Sequence, residues 1–365
     1  MTESSIALDF ENISKTFGEL KANQNISFQV KKGHIHAIVG ENGAGKSTLM
    51  KILFGLYQKD SGKIRLNGKE INFSSPIQAK NMGLGMVHQH FMLAGPLMAV
   101  DHIILEDAKN NIPLFKKLFF PLPRKKIIQD LNKLSSLYKM PVPWESKIED
   151  LSVGIQQRIE ILKLLYNKAD LLILDEPTAV LTPQEIEQLF LQLKEMKDSG
   201  KTILIITHKL KEVLKIADAV TVLRQGQSIC TLPIKGQTIE SLSEHMIGRK
   251  LKYFSHEERI DSDVTRVVVR NLTFQTANKT LLKDVSFEIH PNEILGIAGV
   301  EGNGQTELLN AFVRPQNTNG KYFGQIQFKN INLLNLTSSQ IRKLEVSYFP
   351  EDRIHQGLLL HANVL

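Results

Sequence analysis

The chain has 365 residues, 42% of them hydrophobic and 23% charged, which excludes a disordered or collagen-like polypeptide and suggests two domains. Lysines and arginines number 45 against 38 acids, a net charge of +7 that suits anionic partners without choosing among nucleotides, lipid headgroups and nucleic acid. The single cysteine, Cys230, excludes an internal disulfide, no apolar run is long enough to span a membrane, and the first residues lack a basic-then-apolar leader. These features predict a soluble protein of a reducing compartment.

A repeat organises the chain. Asn12-Ile13-Ser14 recurs as Asn271-Leu272-Thr273, Asn25-Ile26-Ser27-Phe28 as Asp284-Val285-Ser286-Phe287, and Gly40, Gly43 and Gly45 as Gly299, Gly302 and Gly304. Every pair is 259 positions apart, which argues for duplication of a whole domain. The first copy is expected over residues 6–249, a polar linker over 250–266, and a second, shorter copy over 267–365. The duplication is therefore expected to be incomplete.

In chain order, the first candidate is Phe17 in SKTFG, an aromatic residue able to stack on a nucleobase, or else an ordinary strand-end core residue. Ile35–Val39 is a short apolar run ending at Gly40, and a helical pattern follows from Lys46 through Leu53. Between them Gly40-Glu41-Asn42-Gly43-Ala44-Gly45-Lys46-Ser47-Thr48 fits G-x-x-x-x-G-K-[ST]. The glycines let successive backbone N–H groups turn inward on phosphate, and the helix N-terminus faces the same anions. Lys46 would reach the β- and γ-phosphates, and the Ser47 hydroxyl would ligate Mg²⁺.

Leu151-Ser152-Val153-Gly154-Ile155-Gln156-Gln157-Arg158 reads as a loop opening a helix, with Ser152 as its cap and Gly154 permitting close backbone approach. It makes a second phosphate-binding helix start in a domain that needs only one. It therefore suits a nucleotide held by a neighbouring domain. Leu171–Leu174 and Ile203–Ile206 are continuous apolar runs, as in strands buried on both faces, with a helical pattern over Pro183–Met196 between them. The fold class is α/β, with a parallel sheet. Asp175 and Glu176 end the first of those strands, where open sheets bind ligands; Asp175 would hold the Mg²⁺ shell and Glu176 would polarise the attacking water. His208, at the end of the second, would donate a hydrogen bond to the γ-phosphate.

With these motifs the sequence resembles the ATP-binding-cassette (ABC) ATPases over its whole length. GENGAGKST is similar to their Walker A loop, LSVGIQQR to their signature, LLILDE to Walker B, and Ala179-Val180-Leu181-Thr182 to the D-loop. Gln89 in MVHQHF resembles the Q-loop glutamine and His208 the switch histidine. Val153 departs from the commoner glycine of LSGGQ. LSVG-x-QQR, MIGRKL, GIAGVEGNGQTEL and PEDR-x-x-x-GL resemble the double-cassette subgroup of bacterial sugar and nucleoside importers, with HQHFML leaning toward nucleosides. The resemblance implies a P-loop cassette with a mixed sheet and a helical subdomain. ATP would lie between one cassette's Walker A, contacted by Gly40 to Thr48 and Phe17, and another's signature, contacted by Ser152, Gly154 and Gln156. Mg²⁺ would be held by Ser47, Gln89 and Asp175. The implied partners are membrane permease subunits, indirectly a periplasmic or lipoprotein solute-binding protein, and a second cassette in cis or in trans. The implied location is peripheral, on the cytoplasmic face of the plasma membrane. No nucleic-acid partner is expected, because a linker of this length cannot hold the long helical insertions of ribosome- or DNA-acting relatives. The basic and apolar segment Pro113–Lys126 reads as a solvated insertion, with contact to lipid headgroups or the permease as the alternative.

The second copy departs from this pattern. Lys46 becomes Gln305, Ser47 becomes Thr306, Thr48 becomes Glu307, and Thr276 stands at the position of Phe17; Glu351 takes the apparent Q-loop slot. At an effective dielectric near 20, two unit charges about 4 Å apart interact by about 4 kcal/mol, so an added carboxylate beside phosphate is unfavourable. The second loop is expected to bind nucleotide weakly. No second signature, Walker B pair or switch histidine follows within the 365 residues. One expectation is thus an importer ATPase that needs another cassette; the alternative is a non-hydrolysing ATP-binding or regulatory cassette.

Overall fold

The computed structural model describes residues 6–88, 92–111 (side chains to 105), 124–249, 266–277, 279–299, 302–316, 318–350, 357 and 362. The chain divides between Tyr253 and Phe254 into two compact units.

In the first unit, β1 (Ile6–Phe17), β2 (Leu20–Lys31), β4 (Ser61–Leu66) and β5 (Lys69–Ile71) form an antiparallel sheet ordered β2-β1-β4-β5. A second, mixed sheet is ordered β10-β9-β3-β8-β7-β6, from β3 (Ile35–Val39), β6 (Leu84–Val87), β7 (Leu171–Asp175), β8 (Thr202–Thr207), β9 (Ala219–Arg224) and β10 (Gln227–Pro233). Only β10 runs antiparallel to its neighbour. Every residue of β3, β7 and β8 is buried, which accounts for their unbroken apolar sequences.

Helix α1 (Lys46–Leu53) lies between the two sheets, with Leu49, Met50 and Leu53 packed against Phe10 and Ile26 on one side and Ile38, Ile173 and Ile206 on the other. The opposite face of the larger sheet is covered by α3 (Ala99–Asn111), α4 (Arg124–Leu137), α5 (Val153–Tyr166) and α6 (Pro183–Asp198), which share a core that includes Ile103, Leu131, Trp144, Ile161 and Phe190; α2 (Pro76–Asn81) lies beside β6. Helix α6 begins where its sequence dictates: the Thr182 hydroxyl accepts from the Glu185 N–H, the Glu185 carboxylate accepts from the Thr182 N–H, and Pro183 follows the cap. Helices α7 (Leu210–Ile216) and α8 (Ile239–Ile247) close the flank over Ala37, Val39 and Val222.

The second unit holds β11 (Val267–Gln275), β12 (Thr280–Ile289), β13 (Lys321–Phe328) and β14 (Ile331–Asn332) in one antiparallel sheet, with α9 (Gln305–Val313) and α10 (Ser338–Lys343). The repeat is visible in detail. Asn12 N–H donates to Ser27 Oγ at 2.8 Å, and Asn271 N–H to Ser286 Oγ at 2.9 Å. Asn25 N–H donates to Ser14 Oγ at 3.0 Å, and Asp284 N–H to Thr273 Oγ1 at 3.1 Å. All four donors hold positive φ near 50°, a backbone setting that asparagine and aspartate tolerate best among side-chain-bearing residues.

One segment breaks the correspondence. Ile294–Ala298 aligns with β3 but forms no strand among the described residues, and Ile294, Leu295 and Ile297 are 98%, 38% and 50% exposed. In the first unit β3 is hydrogen-bonded on both sides, by β8 and β9. No strand of the second unit stands beside 294–298 among the described residues, so its backbone groups and apolar side chains are left without the partners that bury β3.

His36, on β3, is buried, accepts or donates at 2.8 Å with Thr221 Oγ1 and stacks on Phe28. Burial, aided by His34, lowers its pKa from 6.5 to about 4. The unfolded chain therefore takes up a proton near pH 6.5 that the folded unit refuses until about pH 4. Stability is full above pH 6.5 and falls through that window by about 3 kcal/mol. Thermal unfolding followed at stepped pH is expected to show this loss, and His36→Gln to flatten it.

Candidate nucleotide site

The glycine loop joins β3 to α1 at the carboxyl edge of the large sheet. Gly43 and Gly45 hold φ of +83° and +94°, and a Cβ on Gly45 would collide with the Ala22 carbonyl oxygen. A Cβ on Gly40 would collide with the Leu223 carbonyl oxygen. These positions need glycine for backbone conformation and for closeness to β2 and β9. Lys46, 7% exposed, turns its Nζ back to the Gly40 carbonyl at 2.8 Å and the Glu41 carbonyl at 2.9 Å. Burial lowers its pKa, while Glu176 and Asp175 pull the other way.

Asp175 ends β7 and is buried. Its pKa is raised by that burial and by Glu176, against a hydrogen bond from Ser47 and the charge of Lys46. Glu176 follows with φ of 50°, a left-handed setting unusual for a glutamate, and its N–H donates to the Ile206 carbonyl at 2.9 Å. Its Oε1 lies 2.8 Å from His208 Nδ1, just past the end of β8. Asn42 to Thr48, Asp175 and Glu176 line an open cleft of about 280 Å³, with Leu20, Lys21 and Ala22 completing it. Backbone donors on one wall, a lysine at the base, and a hydroxyl–carboxylate pair beside it fit a nucleoside triphosphate with Mg²⁺. The Ser47 and Asp175 oxygens are the hard donors that this cation takes.

Phe17 is 40% exposed, with Tyr57 edge-on at 5.2 Å and Lys15 Nζ 5.4 Å from its ring centre, so part of the ring remains open for stacking. Ser152 caps α5, accepting from the Ile155 N–H at 3.4 Å. Gln156 donates to the Ile148 carbonyl at 3.3 Å and the Leu151 carbonyl at 3.0 Å, so its amide is engaged within its own turn. A side chain on Gly154 would collide with the Glu185 carboxylate that caps α6. None of Ser152, Gly154 and Gln156 lines the cleft of their own unit. Gln89 lies outside the described residues, as do Glu351 and residues 113–123 of the basic segment. In the second unit the Gln305 amide lies against Gly299, where a Cβ would meet its Nε2.

One participant escapes motif reading. Asn23 on β2, 1% exposed, donates from Nδ2 to the Gly45 carbonyl at 3.1 Å and so braces the loop. The only sequence signal was its difference from Leu282 at the repeat offset.

Comparison with known proteins accords with this geometry. A family model described as ABC transporter matches residues 23–179 and 282–363. The chain belongs to the ABC transporter ATP-binding family. It is 40% identical over 354 residues to the nucleoside import ATP-binding protein NupA of Lactococcus lactis subsp. cremoris, and 42% identical over 354 residues to the guanosine import ATP-binding protein NupO of Bacillus subtilis; each alignment covers 97% of this chain and 68% of the relative. The ribose import ATP-binding protein RbsA of Streptococcus agalactiae is 34% identical over 98% of this chain and 70% of its own length. Among solved structures, the ADP conformation of MJ1267, an ATP-binding cassette of an ABC transporter, superposes with a TM-score of 0.57 at 28% identity, covering 66% of this chain and 94% of that one. The fold is that of an ABC cassette, the chain is an ATP-binding ATPase subunit of the import type, and no helix among the described residues is long and apolar enough to cross a membrane.

Replacing Asn23 by leucine, the residue of the second copy, removes one buried hydrogen bond to the loop. Loss of such a bond is worth about 1 kcal/mol. Titration of MgATP should show affinity weakened about fivefold; an unchanged affinity would mean the brace is idle.

Proposed function

We propose that the first unit holds MgATP in the cleft between its glycine loop and the ends of β7 and β8, and hydrolyses it when a second cassette closes over it. The observation that carries this reading is the convergence of Lys46, Ser47, Asp175, Glu176 and His208 on one sheet edge, from segments up to 162 residues apart. In this reading the amides of Gly40, Glu41, Asn42, Gly43, Ala44, Gly45 and Thr48 and the Lys46 ammonium grip the phosphates, and Phe17 stacks on the base. Ser47 and Asp175, with Gln89, hold Mg²⁺, which when bound offsets charge on the β- and γ-phosphates. Glu176 orients and polarises the attacking water. His208 keeps its Nδ1–H on Glu176 and, when protonated, offers Nε2–H to the γ-phosphate. Catalysis of this kind is mostly positioning and charge stabilisation, so these groups need little movement.

Ser152, Gly154 and the α5 N-terminus then serve a nucleotide held by another cassette, with Gln156 shaping their loop. Within these 365 residues the only other glycine loop carries Gln305 and Glu307, which remove the phosphate-neutralising cation and add an anion. The signature that closes over Lys46 would then be supplied by another cassette, either the first unit of a second copy of this chain or further polypeptide. The permease of an importer for nucleosides or simple sugars is the proposed partner, at the cytoplasmic face of the membrane, with a solute-binding protein acting through it. The names of NupA and NupO favour nucleosides.

Specific ATPase activity of the 365-residue chain, measured across a hundredfold range of protein concentration, tests this. Activity that rises with concentration, or on adding a cassette bearing the missing signature, is expected. Vigorous turnover independent of concentration would refute the need for closure from outside. Tightly held, unhydrolysed ATP under every condition would instead favour the non-hydrolysing, regulatory reading.

A further inference from the structure

We infer that Thr178, Lys209 and Glu212 form a clamp that positions the Glu176–His208 pair. This deepens the proposed function and rests on its assignment of that pair to hydrolysis. Strands β7 and β8 are hydrogen-bonded neighbours only as far as Asp175 opposite Ile206, after which Glu176 N–H still reaches the Ile206 carbonyl. Beyond that point the two segments leave the sheet, Glu176-Pro177-Thr178 on one side and Thr207-His208-Lys209 on the other, and no ladder fixes their separation. Their reacting side chains nevertheless meet at 2.8 Å.

The clamp supplies what the ladder lacks. Lys209 Nζ donates to the Thr178 carbonyl at 2.9 Å and to Thr178 Oγ1 at 3.1 Å. The Thr178 hydroxyl in turn donates to Glu212 Oε2 at 2.6 Å, and Lys209 Nζ lies 3.3 Å from Glu212 Oε1. The hydroxyl thus spends its one proton on the carboxylate and a lone pair on the ammonium, a consistent assignment in a closed ring of charge-assisted bonds. Thr178 is 2% exposed, while the Lys209 and Glu212 side chains are partly open to solvent. Two of the three lie one or two positions from a reacting residue, Thr178 after Glu176 and Lys209 after His208, and Glu212 sits one helical turn beyond His208.

Two local features show the arrangement serving more than the helix it sits on. Lys209 is the N-cap of α7, where a cation opposes the helix dipole and where no side chain caps the backbone. Glu176 holds a left-handed φ of 50°. Both are locally unfavourable, and both are held in place by the bonds across the gap.

Thr178→Val keeps the shape and removes the hydroxyl. In the full 365-residue chain, ¹⁵N-edited NMR of the His208 imidazole, assigned by its loss in His208→Gln, is expected to show a single Nδ1–H tautomer that becomes mixed in Thr178→Val and returns in Thr178→Ser. MgATP affinity should stay within about twofold, while hydrolysis, measured with the complementing cassette present, falls about 10- to 100-fold. Glu176→Gln is the control for the underlying reading. Full turnover in Glu176→Gln overturns both the role of the pair and the clamp. A silent Glu176→Gln, together with Thr178→Val that keeps wild-type tautomer and rate, overturns the clamp alone. A Thr178→Val variant that loses nucleotide affinity and thermal stability in proportion to rate, without rescue by serine, marks a merely structural threonine and equally overturns it.

Discussion

The site depends on one electrostatic arrangement: a lysine ammonium drawn out of water and held by two backbone carbonyls beside two carboxylates. Lys46 is poised between the Gly40 and Glu41 carbonyls on one side and the charges of Asp175 and Glu176 on the other. Burial works against its charge, and the acids work for it. Phosphate oxygens would supply stronger acceptors than the carbonyls that now satisfy it, so the loop is built for an anion it can exchange for its own backbone. The glycines follow from the same requirement, since Gly40 and Gly45 let the loop press against β9 and β2 while its amides face the cleft.

The duplication shows which parts of this arrangement are scaffold and which are chemistry. The second unit reproduces the antiparallel sheet, the left-handed asparagine and aspartate positions and even the serine and threonine hydroxyls that hold them. It does not reproduce the cation, since Gln305 occupies that place. Among the described residues it forms no counterpart of the buried strand either. Ile294–Ala298 has the apolar character of β3, yet strand formation depends on neighbours on both sides, and sequence character alone does not supply them.

Much of the fold was legible because its signals are local or periodic. The spans Ile35–Val39 and Lys46–Leu53 coincide with β3 and α1, and the helix read over 183–196 extends only to Asp198. Asp175 and His208 could be placed at the sheet edge because each ends an unbroken apolar run. What stayed hidden depends on contacts between distant segments. Asn23 reaches the loop across 22 residues, Lys209 reaches Thr178 across 31, and nothing in the local pattern of either announces its partner. The left-handed turn at Glu176 was likewise invisible, because glutamate carries no turn signal. The bonds from Gln156 Nε2 to the Ile148 and Leu151 carbonyls were equally hidden from the motif.

Cassette closure, phosphate grip and the asymmetry of the two units all reduce to one countable quantity, the number of nucleotides held firmly per chain. Equilibrium titration of the 365-residue protein with MgATP measures it directly. One tight site per chain is expected, lost when Lys46 is replaced by alanine and untouched when Gln305 is. Two equivalent sites, or a single site that survives Lys46→Ala, would contradict it.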